Sequence, residues 1–487
     1  MRSSLTLLAL SSVLLAGTAL AADTAGQAAL EHGRKLVDLL DKGDRRAVAA
    51  YLQANGAPRS TPPNPPVMEL LSRTYLQARG AKYVADGPVE PQAATVVYEN
   101  PTTKGQQALK VTVEPQPPFN MTAVTPAPTS RAFAPFAPDA PLDERLKGID
   151  AYVETLTKAD GFSGVVLIAA SEKPLLNKAY GLADRTAGAA NTLDTKFSLA
   201  SLNKMFTAVA IARLVEQGQL SWDDPLSKFL PDFPDAESAR KIQIKHLLSH
   251  TSGLGSFFNP TFFATPKDQI RTLDDYMRLN GEKGGLAFEP GTRWSYSNNG
   301  YLALGKVIEK VTGQDYYDYM RQTLFAPLGM NQTDSYALDS KTPNMARPYE
   351  TSWTDAGLQT RDATPEMPVR GSSAGGGYST AGDLFKWATA FKGGKLVSAE
   401  TAALMTSPKL ELGSANGGYG FEFGRLAPAG RKIVGAPGDT VGTCVIFDMI
   451  RDADNDYTVI ILANSFMGSC HRVARAAYQA LPAKAKP

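Results

Sequence analysis

The chain has 487 residues, 43% of them apolar and 20% charged, with a formal net charge of +2. That length exceeds one average domain and allows a large core beside a small one. The near-neutral balance argues against nucleic acid or an anionic membrane as the main partner.

Met1 to Ala21 reads as an export signal. Arg2 supplies the charge, Leu5 to Ala16 a short apolar stretch, and Ala19-Leu20-Ala21 a small-residue cleavage site. The stretch is too short to span a bilayer, and no later segment is apolar for long enough to do so. The expected location is therefore periplasmic or secreted. Cys444 and Cys470 are the only cysteines. An oxidising compartment suits one disulfide between them, with geometry deciding whether it forms.

Residues 22–114 read as a small α+β domain. Ala29 to Leu52 has helical periodicity broken at Gly43-Asp44, and Met68 to Leu76 is a second helical stretch. Ala94–Tyr98 and Ala108–Val113 read as strands joined through Asn100-Pro101 and Lys104-Gly105. This element order loosely resembles cystatin-like or NTF2-like modules. Residues 115–142, rich in Pro, Ala and Thr, read as a semi-extended linker. A second domain follows over 143–487.

That domain opens with an amphipathic helix, Asp143–Lys158, then an apolar strand, Gly164–Ala170, and its hairpin partner, Pro174–Tyr180. Next comes Ser201-Leu202-Asn203-Lys204, at the start of an apolar run closed by Gly218. Apolar residues on several faces predict a buried helix. A separation of three puts Ser201 and Lys204 on one face, in the first turn. A serine needs a neighbour to take its proton, and a buried lysine with a lowered pKa is able to do so. The bland reading of the same tetrapeptide is an ordinary helix N-cap.

His246 and His250 stand four apart, the spacing of two metal ligands on one helix face. Leu247 stands where the metalloprotease signature needs Glu, so a helix running into a loop at Gly253 is the preferred reading. Tyr296 and Asn298 lie two apart, so an extended loop would point them the same way. A tyrosine beside a lysine is expected to move toward phenolate and act as a base, and the asparagine amide both donates and accepts. A core tyrosine with an Asx turn is the alternative. Gly371-Ser372-Ser373-Ala374-Gly375 matches the Gly-x-Ser-x-Gly nucleophile elbow. It lacks the preceding buried strand and following helix that an elbow needs, so it reads as a Gly-rich loop capping a helix over Ala381–Phe391. Strands are expected at Lys432–Val434, Thr443–Phe447 and Tyr457–Leu462, with a turn from Asp452 to Asp456 and a terminal helix, Cys470–Leu481. Strands at both ends of a domain imply a sheet built from the two termini.

Ser201-Leu202-Asn203-Lys204, the His246–Leu254 stretch, Tyr296-Ser297-Asn298 and Gly376-Gly377-Tyr378-Ser379-Thr380 occur in an order and spacing that resemble the serine β-lactamase-related family. That family includes class C β-lactamases, D,D-peptidases, D-aminopeptidases and related esterases. The resemblance implies an α+β fold, an antiparallel sheet flanked by helices beside a helical lobe. It implies that Ser201 forms an acyl-enzyme, that Lys204 and Tyr296 handle the proton, and that Asn298 orients the substrate. The oxyanion would lie between the Ser201 N–H and one from the strand of the third motif. No cofactor and no metal is implied.

The third motif departs from the family. Where Lys-Thr-Gly or His-x-Gly is usual, this chain has Ala436-Pro437-Gly438, followed by Asp439. The cationic or imidazole side chain is missing, and Pro437 has no N–H to give. Gly438 and Asp439 are the expected substrate-binding positions, with the Asp439 carboxylate unfavourable unless it points away. The reading is thus an exported serine hydrolase acting on esters or amides. The alternatives are a D,D-peptidase or β-lactamase acting on peptidoglycan peptides or β-lactams, or a binding or regulatory module with a degenerate site.

Overall fold

The computed structural model describes residues 25–56, 65–78, 80–101, 104–129, 135–137, 139–279, 285–411, 418–426, 433–451, 456–465 and 468–482. The stretch at 1–21 that reads as an export signal, most of the turn at 452–456 and Lys432 lie outside the described residues. The chain divides into two compact units, one of residues 1–139, 154–161 and 351–360, the other of 140–153, 162–350 and 361–487.

In the first unit, helices α1 (25–42), α2 (Arg45–Asn55) and α3 (Pro65–Ala78) precede four antiparallel strands paired in chain order. These are β1 (Lys82–Glu90), β2 (Ala93–Glu99), β3 (Gln106–Val113) and β4 (Met121–Ala127). The break between α1 and α2 falls where the sequence put it. Gly43 takes φ +66°, and the Asp44 side chain caps α2 by accepting from the Ala47 N–H. Leu36, Leu40, Leu71, Val96 and Val111 form the core.

Two strands here differ from expectation. β1 is almost wholly exposed, so it carries no apolar alternation to read. β4 lies inside the stretch expected to be linker. Met121 and Val124 are buried there while Thr122 and Thr125 face outward, and Pro126 is tolerated because β4 is an edge strand.

The second unit is built on an eight-stranded antiparallel sheet. Its strands are β5 (Gly164–Ala170), β6 (Lys173–Tyr180), β7 (Leu410–Glu411), β8 (Gly418–Tyr419), β9 (Gly424–Leu426), β10 (Ile433–Thr440), β11 (Thr443–Arg451) and β12 (Asp456–Ala463), in the order β7-β8-β9-β10-β11-β12-β5-β6. β12 pairs with β5, Val459 opposite Ile168 and Ile461 opposite Val166, so both ends of the domain do build one sheet. β11 and β12 are buried on both faces, in keeping with the apolar runs Cys444–Phe447 and Val459–Ala463. A terminal helix, Ser469–Ala480, packs on β11 and β12, and its Cys470 is bridged to Cys444 of β11 across a Cα–Cα distance of 5.6 Å. The buried helix after the serine is Lys204–Glu216, ten of whose side chains are buried.

Candidate active site

Ser201 does not sit in the first turn of that α-helix. Residues Ala200–Asn203 form a 3-10 turn, and the α-helix begins at Lys204. Side chains three apart eclipse in a 3-10 turn. The Lys204 ammonium accordingly donates to Ser201 Oγ at 3.2 Å. Ala200 holds φ +44°, a left-handed conformation uncommon outside glycine, immediately before the serine.

Lys204 is completely buried, and its second contact is with the Ala374 carbonyl. The Gly371–Gly375 segment is therefore not a nucleophile elbow. It is a tight turn closed by Ser372 N–H to Gly375 O at 2.7 Å. Three consecutive carbonyls of that turn receive side chains from the serine-bearing segment: Ser372 O from Asn203 at 2.9 Å, Ser373 O from Thr207 at 2.8 Å, and Ala374 O from Lys204. Ser373 itself is 0% exposed, with its hydroxyl packed against Gly305, out of reach of any substrate. Burial lowers the Lys204 pKa from 10.5 to about 8, against an opposing pull from Glu422. At neutral pH a usable fraction of the amine is then unprotonated.

The Tyr296 hydroxyl lies close to Ser201, but its pKa moves opposite to expectation. Burial raises it, the Glu422 carboxylate raises it further, and the serine contact only partly offsets both. Lys204 Nζ lies 4.8 Å from the ring centroid of Tyr296, over its face, where it gives a cation–π contact. The hydroxyl thus stays a phenol. Nor is Asn298 in an extended loop. Ser297 caps the helix Asn298–Thr312 through the Gly300 N–H, which makes Asn298 its first residue. Asn298 is buried, with its amide donating to Ser256 Oγ at 2.9 Å, and it lines the same cavity as Ser201.

His246 and His250 do not share a helix face, because the helix Ile244–Leu248 ends before His250, which has φ +56°. His246 Nδ1 accepts from the Gln243 N–H at 3.2 Å.

β10 brings the third motif to the serine turn. A Cβ on Gly438 would stand 2.3 Å from Leu199 O and 2.9 Å from Leu202 N, so only glycine lets the strand come this close. Strand alternation puts Ala436 on the same face, buried at 1% exposure. Asp439 faces the other way, and its carboxylate pairs with His471 Nε2 at 3.0 Å. The charge feared near the oxyanion is thereby turned aside, and in return the carboxylate raises the His471 pKa.

Ser201, Asn298 and Asp439 line a cavity of about 530 Å³. Much of its wall is apolar: Phe257, Phe258, Phe262, Tyr276, Met367 and Val369. Lys267 also lines it, but its ammonium is drawn to the Phe262 and Thr265 carbonyls at 2.6 and 2.7 Å. The sequence reading missed this aromatic wall. Its signal was the pair of diphenylalanines at Phe257-Phe258 and Phe262-Phe263, of which Phe258 and Phe263 remain exposed.

Comparison with known proteins places this geometry. The family model for Beta-lactamase matches residues 149–484. The chain is 31% identical to penicillin-binding protein 4 of Amycolatopsis lactamdurans over 256 residues, covering 50% of this chain and 64% of the relative. Among solved structures it is similar to a penicillin-binding protein from Bacillus halodurans, with a TM-score of 0.61 and 28% identity over 68% of this chain and 99% of the other. It is also similar to the D-amino acid amidase of Ochrobactrum anthropi SV3, with a TM-score of 0.57 and 26% identity over 68% and 96%. The chain spans less than two thirds of the length of the first curated relatives it matches. With a family model covering most of the chain, and the fold shared with penicillin-binding-protein-like and amidase serine hydrolases, this chain belongs to the Beta-lactamase family.

Proposed function

We propose that the chain is an exported hydrolase that cleaves esters or amides with an apolar acyl group through an acyl-Ser201 intermediate. The observation that carries this reading is the 3.2 Å contact between Ser201 Oγ and a fully buried Lys204 at the floor of an aromatic-walled cavity. Ser201 Oγ attacks the carbonyl carbon while its proton passes to the unprotonated Lys204 amine. The oxyanion is held by the N–H groups of Ser201 and Asp439. The tetrahedral adduct collapses and expels the alcohol or amine, which takes back a proton from Lys204 by way of the Tyr296 hydroxyl. With its raised pKa, Tyr296 serves as a relay rather than as the base. A water then attacks the acyl carbon, giving up its proton to Lys204, and the second adduct collapses to release the acid as Ser201 Oγ takes that proton back. Asn298 orients the substrate.

Substrate class follows from what the cavity offers. It has apolar area for an acyl chain or aromatic ring, and Lys267 is committed to backbone carbonyls. Ala436 has no cation with which to hold a substrate carboxylate. A charge-assisted bond of that kind is worth roughly 1.5–3 kcal/mol. Neutral esters therefore suit the site better than penicillins or D-Ala-terminated peptides. The penicillin-binding names of several relatives favour the second reading, a β-lactamase or D,D-peptidase. Export rests on the leader at 1–21, and no helix among the described residues is long and apolar enough to cross a membrane.

Fluorophosphonate labelling tests the reading. Ser201→Ala abolishes labelling and Ser373→Ala leaves it intact. Retained labelling in the first variant removes Ser201 as the nucleophile. On activated esters and nitrocefin side by side, kcat/KM is higher for p-nitrophenyl acetate. The reverse order returns the assignment to a β-lactamase.

A further inference from the structure

Glu422 lies at a position the catalytic roles above leave unused. It is 4% exposed and holds φ +64°, in a turn closed by Gly420 N–H to Phe423 O at 2.9 Å. Left-handed backbone is glycine's usual preserve and is unfavourable for a residue that carries a side chain. Burying a carboxylate adds a desolvation cost. Two unfavourable features at one residue need a compensating role, and the contacts around it suggest one.

Glu422 Oε2 lies 3.1 Å from His250 Nε2. The other ring nitrogen, Nδ1, accepts the Ser297 N–H at 3.1 Å, so Nε2 must carry the hydrogen and donate it to the carboxylate. Burial keeps this imidazole's pKa below its ordinary value. Ser297 is the residue between Tyr296 and Asn298. The Tyr296 ring packs on the His250 ring, centroids 4.4 Å apart and tilted by 38°. The groups facing Glu422 are His250, Lys204 from the serine-bearing helix, Tyr296, and Tyr301 from the helix Asn298–Thr312. Lys204 Nζ lies 4.8 Å from the Tyr296 ring centroid and 5.8 Å from that of Tyr301.

We propose that Glu422, acting through His250, is a positioning residue for the Ser201–Lys204–Tyr296 group, holding the imidazole against which Tyr296 packs and placing a carboxylate behind it. The inference rests on the reading of Lys204 as the base. Glu422 draws the Lys204 pKa upward and so opposes the desolvation that lowers it. It also keeps Tyr296 in its phenol form. Removing the charge moves both groups in the same direction, toward losing their protons at lower pH.

The test is the pH dependence of the fluorophosphonate labelling rate and of ester kcat/KM in Glu422→Gln and Glu422→Gly. The Gln carbonyl still accepts from His250, while glycine suits the left-handed backbone and secures a folded variant. In both variants the acid limb of the profile shifts down by about half a pH unit or more relative to wild type. A merely structural carboxylate would lower rates equally at every pH. An unchanged midpoint, or an upward shift, in the folded variants overturns the proposal. If instead wild-type labelling does not depend on Ser201 and Lys204, it is the underlying hydrolase reading that has failed.

Discussion

Lys204 shows how one residue's cost in stability is tied to its chemistry. Its folded pKa of about 8 lies below the ordinary 10.5, so the unfolded chain binds more protons between those values. Stability therefore rises with pH through that window, and below it the full cost of a buried ammonium is present. A shift of this size corresponds to roughly 3 kcal/mol. Lys204→Met is expected to raise the denaturation midpoint at pH 7 while cutting ester hydrolysis by several orders of magnitude. A destabilised but active variant would contradict both halves of that argument. In wild type, kcat/KM is expected to rise with pH through about 8, as Lys204 loses its proton, and a flat profile from pH 6 to 9 would remove it as the base.

At the scale of elements, the site depends on β10 lying against the 3-10 turn of Ser201. Gly438→Ala places a methyl group 2.3 Å from Leu199 O, so strand or turn must move. A displacement near 1 Å is expected to cost about a hundredfold in kcat/KM. Gly424→Ala, whose Cβ meets nothing closer than 3.8 Å, is the control and keeps its activity. The Cys444–Cys470 bridge fastens β11 to the terminal helix across 26 residues. In the chain-entropy model that loop contributes roughly 3 kcal/mol. Mass spectrometry without reductant is expected to show no free thiol, and urea denaturation with reductant a lower midpoint. Two free thiols in the purified protein would remove the bridge from the account.

For the molecule as a whole, specificity is a matter of which walls surround Ser201. Phe258→Ala and Phe263→Ala open the aromatic side of the cavity and should lower kcat/KM for octanoate or benzoate esters about tenfold, with acetate little changed. An equal loss on acetate would mean that these rings support the fold rather than the acyl group. The same scale carries the two-unit organisation. Trp353, far along the chain, stacks on Tyr75 at 4.2 Å and donates to the Gly43 carbonyl at 3.2 Å, so part of the hairpin at 349–362 is counted with the first unit. No local pattern in the sequence announces such a long-range pairing.

The sequence by itself determined the local and periodic features. The apolar runs of β5, β11 and β12, the buried helix after Ser201 and the break at Gly43-Asp44 all follow from side-chain polarity and backbone freedom over a few residues. The order of Ser201, Lys204, Tyr296 and Asn298 was equally legible, because each lies in a short motif. Tertiary structure decided what depends on the surrounding field and on distant neighbours. It reversed the expected direction at Tyr296, since burial and Glu422, 126 positions away, outweigh the contact with Ser201. It turned Asp439 toward His471, brought the carbonyls of 372–374 onto Asn203, Thr207 and Lys204, and raised β4 from a stretch that reads as linker. Desolvation, and hydrogen bonds between residues more than a hundred positions apart, exist only once the chain has folded, so no window along the sequence contains them.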